Sequence, residues 1–169
     1  MTDNLYFKIP DLPNDISATN SIARMVDGLG FRYRWATEDL TQREIDFRPV
    51  ESSMDMHSLI SHIYDLAVMS SKTFGRTSFT PKPTSFIELR TGTLTLLGDL
   101  SDKLKMMSDS ELESSNMTSS STGKTYPFWY MLNGPIADAL THVGQITTWR
   151  RIAGNPQPNG VNVFKGTKD

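Results

Sequence analysis

Three side chains in this 169-residue chain have the chemistry and spacing of a metal site. Asp138 and His142 are four residues apart in the segment DALTHVGQITTWRRIAGNP, so on a helix their side chains are neighbours. His62 lies in a second segment, SLISHIYDL. If the two helices face each other, two imidazoles and one carboxylate could bind Zn²⁺, Ni²⁺ or Fe²⁺ and leave room for water. Such an ion generates a hydroxide nucleophile or activates a thiol near neutral pH.

Each of these residues also has a structural interpretation. The pair Asp138 and His142 could be hydrogen-bonded or solvated without a metal, and His62 could be a half-buried histidine with an ordinary partner. Gln145 could orient a ligand of the site or hydrogen-bond to a neighbouring helix. His57 is about 140° away from His62 around the helix axis, so it is predicted to be structural or exposed.

Four segments carry apolar residues at steps of three and four, the pattern of a helix with one buried face. The expected signals at their ends are Asp15 before the first helix, Ser53 or Asp55 before the second, Gly75 after the second, and Gly154 after the last. The third helix is predicted over residues 86 to 107. Gly28 and Gly30 indicate a close helix–helix approach or a kink in the first helix, and Asn133–Gly134–Pro135 either kinks the last helix or begins it.

These segments predict an all-α fold, a four-helix bundle that forms a single domain over residues 1–169. No internal repeat, heptad seam or alternating strand pattern is visible in the sequence. Residues 1–14 are predicted to be an extended leader, and residues 157–169 a loosely ordered tail. The serine-rich stretch from residue 108 to residue 125 is predicted to be a surface loop.

The composition excludes several classes of function. The formal net charge of −2 provides no basic face for nucleic acid. The chain has no cysteine, which excludes disulfides, thiolate metal sites and cysteine nucleophiles. The polar N-terminus and the lack of any run of 18 apolar residues predict a cytoplasmic protein without a membrane span.

The segments SLISHIYDL and ADALTHVGQITTWRRIAGNP together resemble the DinB/YfiT-like superfamily. Its members are four-helix bundles with a histidine on the second helix and an H-x-x-x-H-x-G-Q motif on the last, which commonly complete a divalent-metal site. The resemblance covers about residues 20 to 156 and implies that His62, Asp138 and His142 are the metal ligands. Asp138 stands where the family has its first histidine, and it adds a negative charge that favours a harder or more solvated ion. It could instead accept the ring N–H of His142, which would leave the site incomplete.

The resemblance also implies an activity, a metal-assisted hydrolase or thiol S-transferase in detoxification or stress response. The reacting group would be metal-bound water or a low-molecular-weight thiol, and the substrate a small molecule. Trp129 or Tyr130 and the serine-rich loop would cover the pocket. Gln145 would support the ligands as a hydrogen-bond donor, Gly144 would mark close helix packing, and two copies would pair as a homodimer. The alternative is a non-catalytic bundle, a binding or stress-associated module with a degraded metal site.

Overall fold

The computed structural model describes residues 4–74, 81–119 and 122–169, and it is mostly helical. The helices are α1 (Ala18–Ala36), α2 (Gln42–Ile45), α3 (Met56–Lys72), α4 (Phe86–Met106), α5 (Asp109–Ser114), α6 (Trp129–Met131) and α7 (Ala137–Ile152), with a π-helical turn at Leu132–Ile136 before α7. The strands are β1 (Asn116–Thr118), β2 (Thr125–Pro127), β3 (Val161–Asn162) and β4 (Thr167–Lys168). No helix within the described ranges is long and apolar enough to cross a membrane.

The long helices α1, α3, α4 and α7 enclose the core. Helix α1 packs against α4 and α7, and α3 packs against the same two helices. Their buried faces carry the predicted apolar residues, among them Val26, Leu59, Ile63, Leu97 and Val143. Burial of these faces removes apolar surface from water and is the main force that holds the helices together.

Two of the four predicted helix-end signals are confirmed. Asp55 caps α3 by accepting a hydrogen bond from the backbone N–H of Ser58 at 2.7 Å, and Gly154 has the left-handed φ of +91° that ends α7. Gly75 lies outside the described residues. The prediction of Asp15 as the cap of α1 is wrong, because Ser17 accepts from the backbone N–H of Asn20 and Asp15 binds the Asn20 side chain instead.

The segment before α7 is kinked, one of the two predicted possibilities. Gly134 has φ −84° and ψ −107°, which is not a helical conformation, and Pro135 follows it inside the π-helical turn. Proline lacks the N–H that a continuous helix would use, so the chain rearranges here before α7 begins at Ala137.

The leader, predicted as an extended segment, contributes a buried side chain to the core. The ring of Tyr6 is buried against Gly30, where a side-chain carbon would collide with it. The close approach predicted at Gly30 therefore exists, but the neighbour is the leader and not a helix. Tyr6 donates a hydrogen bond to Asp27 at 3.2 Å, and burial, reinforced by the Asp27 charge, raises the pKa of Tyr6.

Two segments have more structure than the sequence predicted. The serine-rich stretch contains α5, with a reciprocal capping box between Ser108 and Glu111, and β1, which pairs antiparallel with β2 at the end of the stretch. The tail contains the antiparallel pair β3–β4, and the Gly166 carbonyl accepts a hydrogen bond from Ile9 of the leader at 2.8 Å. Strands of two or three residues are too short to give a visible alternation of apolar and polar residues.

The Arg150 guanidinium is fully buried and joins the ends of α7 and α1. Nη1 donates to the carbonyls of Trp35 at 3.1 Å and Ala36 at 3.0 Å, and Nε and Nη2 donate to Asn155. Asn155 in turn donates to Glu44 at 3.0 Å. Carbonyls at a helix C-terminus lack intrahelical partners, so Arg150 satisfies groups that would otherwise be buried without a hydrogen bond.

We expect Arg150→Met to lower the free energy of unfolding by at least about 3 kcal/mol, because two buried carbonyls lose their donor. Arg150→Lys keeps the charge but cannot reproduce the planar set of donors. It should lower the free energy of unfolding by less than Arg150→Met does. Arg151→Met, at the exposed neighbouring position, is the matched control and should change stability by no more than about 0.5 kcal/mol. Urea unfolding of the three variants measures this, and equal effects at positions 150 and 151 would contradict the role of Arg150.

Asp55 should make the fold sensitive to acid. The hydrogen bonds from Ser58, and then the Arg48 charge, lower the pKa of Asp55 in the folded state. The folded state therefore binds this proton less readily than the unfolded chain, so the stabilisation is complete above the unfolded pKa and is lost as the pH falls through the folded one. Asp55→Asn retains a good cap without a titrating group. Urea unfolding measures the free energy of unfolding at about pH 6 and about pH 3. Its decrease between these pH values should be smaller in Asp55→Asn than in the unchanged protein, and equal decreases would refute the prediction.

Candidate metal centre

Helices α3 and α7 place the predicted ligands at their shared interface. His62 lies beside the buried residues Leu59 and Ile63 of α3, at the edge of the apolar face, and its side chain is 36% exposed. Asp138 and His142 lie in the same way beside the buried face of α7, with side chains 45% and 16% exposed. Because α3 packs against α7, the two edges meet. Each side chain is thus held by a packed helix while one side of the group stays open to solvent.

The structure brings the three predicted residues together, and we call them the His–Asp–His cluster. Asp138 lies between the two rings: one carboxylate oxygen is 3.5 Å from Nε2 of His62, and the other is 3.3 Å from Nε2 of His142. The two rings are 4.9 Å apart between centroids and nearly perpendicular, at 79°. One ligand atom from each residue lies within 4.8 Å of the others, and this group could hold a metal ion.

Gln145 fixes the orientation of His142. Its amide oxygen lies 2.8 Å from Nδ1 of His142. An amide oxygen can only accept a hydrogen bond, so Nδ1 carries a proton, and in the neutral ring Nε2 then presents a lone pair. The resemblance implies that Gln145 acts as a hydrogen-bond donor; in the structure its amide oxygen instead accepts from His142, three residues before it.

This arrangement places hydrogen-bond acceptors opposite one another in the His–Asp–His cluster. In the tautomer that Gln145 selects, the Nε2 lone pair of His142 faces a carboxylate oxygen of Asp138, which is also an acceptor. Among the described residues, the ion-pair partners of Asp138 are the two histidines, and no lysine or arginine neutralises it. A cation between these atoms, either a proton or a metal ion, converts the repulsion into an attraction.

The separations suit a small divalent ion. Zinc binds imidazole nitrogen and carboxylate oxygen at about 2.0–2.2 Å, so donor atoms at two corners of its tetrahedron are about 3.4 Å apart. The distances from Asp138 to the two histidines, 3.5 Å to His62 and 3.3 Å to His142, are each close to this value, although they involve different oxygens of the carboxylate. The donor set of two imidazoles and one carboxylate is one that zinc, nickel and non-haem iron accept. The residues present therefore fit such an ion.

Other predicted residues lie outside the cluster. His57 does not join it, and its Nε2 is 2.9 Å from the carbonyl of Thr84, which agrees with its structural interpretation. The prediction that Gly144 marks close helix packing is wrong, because this position is exposed and a Cβ there would meet nothing within 4 Å. Nothing in the structure explains a glycine at this position. Trp129 lines a cavity whose lining includes none of the three ligands, and Tyr130 packs against Tyr126.

Comparison of the chain with models of protein families, with curated proteins and with solved structures found no match.

We expect Gln145→Leu to weaken Zn²⁺ binding by about 10- to 100-fold, since removing the partner of a ligating histidine frees its ring to rotate and change tautomer. Gln145→Glu keeps an acceptor at the same distance and should bind close to normally. Competition with a chromophoric chelator measures both affinities. If Gln145→Leu binds as tightly as the unchanged protein, Gln145 does not orient His142.

Proposed function

We propose that this chain is a DinB/YfiT-like four-helix bundle and a metal-dependent enzyme whose ion is held by His62, Asp138 and His142. The mutual packing of α1, α3, α4 and α7 supports the bundle, since each of these helices contacts two of the others. The motifs that carry the resemblance supply the ligands, and they lie on α3 and α7.

The convergence of two imidazoles and one carboxylate from two packed helices is the observation that carries this proposal. A divalent ion in such a donor set supplies Lewis acidity, which makes nucleophiles available near neutral pH. Asp138 and His62 are partly exposed, so the open side of the site admits water and a small substrate. Gln145 holds the His142 ring, and the packed faces of α3 and α7 limit movement of the other two ligands.

The reaction class follows from the same donor set and from the resemblance. An ion with three protein ligands and an open position serves hydrolysis, or the activation of a low-molecular-weight thiol for attack on an electrophile. We propose a small-molecule substrate, a role in detoxification or stress response, and a homodimeric assembly. Zinc, nickel and iron(II) are the candidate ions.

One observation favours a second function, a non-catalytic binding module. The Asp138-to-histidine distances of 3.5 and 3.3 Å are only slightly longer than a hydrogen bond, so a proton could fill the place of the ion. A protonated histidine paired with Asp138 would be a structural feature of a bundle that has lost its reaction. The two functions differ in whether the cluster binds metal.

Metal analysis of protein prepared without an affinity tag tests the proposal. We expect about one equivalent of a divalent ion per chain, and an increase in melting temperature when the ion is added to chelator-treated protein, because a ligand that binds only the folded state stabilises it. His142→Ala should lose both the ion and the increase. His57→Ala, which removes the histidine that binds Thr84, is the matched control and should retain both.

The outcomes separate the two functions. Absence of stoichiometric metal, with no thermal shift for zinc, nickel or iron(II), would leave the non-catalytic module. In that case Asp138→Asn should change the melting temperature in the same way whether or not metal is present.

A further inference from the structure

The cavity lined by Trp129, of about 450 Å³, lies where the start of α1, α5 and residues 127–132 meet. Its apolar lining includes Ile22, Leu112, Phe128 and Leu132, and the first three of these are buried in the core. The volume is within the range of about 300–1,000 Å³ that is typical of small-molecule sites. None of the three residues of the His–Asp–His cluster lines it.

Trp129 forms part of the wall of this cavity and is 76% exposed. Its indole makes no ring-to-ring contact with another aromatic side chain in the described parts of the chain, whereas Phe128 and Tyr130 on either side are both paired. Indole is the side chain that best attracts a cation to its face. An uncovered indole beside an apolar cavity is therefore suited to a ligand that has both apolar surface and positive charge.

The charged residues of the lining are both acidic, Asp109 and Glu113. The start of α1, which would otherwise attract an anion, is already satisfied: the N–H groups of Ala18 and Thr19 donate to Asp109 at 3.2 and 3.1 Å, and that of Asn20 donates to Ser17. The bonds from Thr19 and Ala18 lower the pKa of Asp109, so this carboxylate stays charged. The cavity thus combines an apolar interior with a negative rim.

We propose that this cavity binds a small organic cation, a molecule with an aromatic or branched alkyl body and one ammonium group. The body lies among Ile22, Phe128 and Leu132 and against the indole of Trp129. The ammonium lies near the face of the same indole, toward Glu113 and the remaining lone pairs of Asp109. The binding requires no metal, so it does not depend on the function proposed for the His–Asp–His cluster.

Three probes of matched shape test the charge preference: 2-phenylethylammonium, 2-phenylethanol and phenylacetate, which carry a positive charge, none and a negative charge. Calorimetric titration of the full chain is done with a chelator present, so that metal at the cluster does not contribute. We expect 2-phenylethylammonium to bind about 5-fold more tightly than 2-phenylethanol, and phenylacetate to bind most weakly.

Variants identify the site. Trp129→Ala should weaken the binding of all three probes, by about 10-fold for the cation, because it removes both apolar contact and the aromatic face. Glu113→Gln should weaken the binding of the cation alone, by about 2- to 5-fold. Tyr130→Ala and Glu51→Gln replace an exposed tyrosine and an exposed glutamate that do not line the cavity, and His142→Ala removes a residue of the cluster. These three controls should bind as the unchanged protein does.

Equal affinities for the three probes, or binding that Trp129→Ala leaves unchanged, would overturn the proposal. So would sedimentation that shows a dimer in the unchanged protein and a monomer in Trp129→Ala while no probe binds, since the cavity would then be covered by a second copy of the chain. Melting curves establish that each variant is folded, and the exposed side chain of Trp129 can be removed without opening the core.

Discussion

The hydrogen bonds of Arg150 fix the position of α7, and the geometry of the His–Asp–His cluster depends on that position. The guanidinium joins the end of α7 to the last carbonyls of α1, so α7 can neither slide nor rotate relative to α1 without leaving buried groups unpaired. Asp138 is twelve residues before Arg150, about 18 Å along a rigid helix. A side chain outside the cluster therefore constrains where Asp138 and His142 meet α3.

The start of α7 is determined by the π-helical turn that precedes it. The π-helical turn at Leu132–Ile136 absorbs the conformation of Gly134 and the missing N–H of Pro135, and a regular helix begins only at Ala137. The N–H of Ala137 donates to the carbonyls of Leu132 and Gly134, so the π-helical turn leads directly into α7. Asp138 lies in the first turn after this junction, which therefore determines where the carboxylate enters the cluster.

Local sequence patterns predicted the long helices and the members of the cluster, because helical periodicity and the spacing of Asp138 and His142 are properties of short segments. The sequence could not show that Tyr6 fills the space left by Gly30, or that Arg150 reaches back to α1, because these contacts join residues far apart in the chain. Gln145 was recognised as a supporting residue, but its role as acceptor depends on the rotamers of two side chains. Serine and aspartate cap equally well by type, so the sequence does not distinguish Ser17 from Asp15, which in the structure binds the Asn20 side chain.

The charge of the cluster explains why the same geometry is compatible with a proton or with a metal ion. Two neutral imidazoles and one carboxylate carry a net charge of −1, which one proton neutralises and a divalent ion reverses to +1. A buried cluster would favour the neutral, protonated form, because a net charge is costly to remove from water. Here Asp138 and His62 are 45% and 36% exposed, so solvent screens the excess charge and the penalty against the metal form is reduced. The exposure of these two side chains thus lowers the electrostatic cost of a divalent ion, which the group could hold.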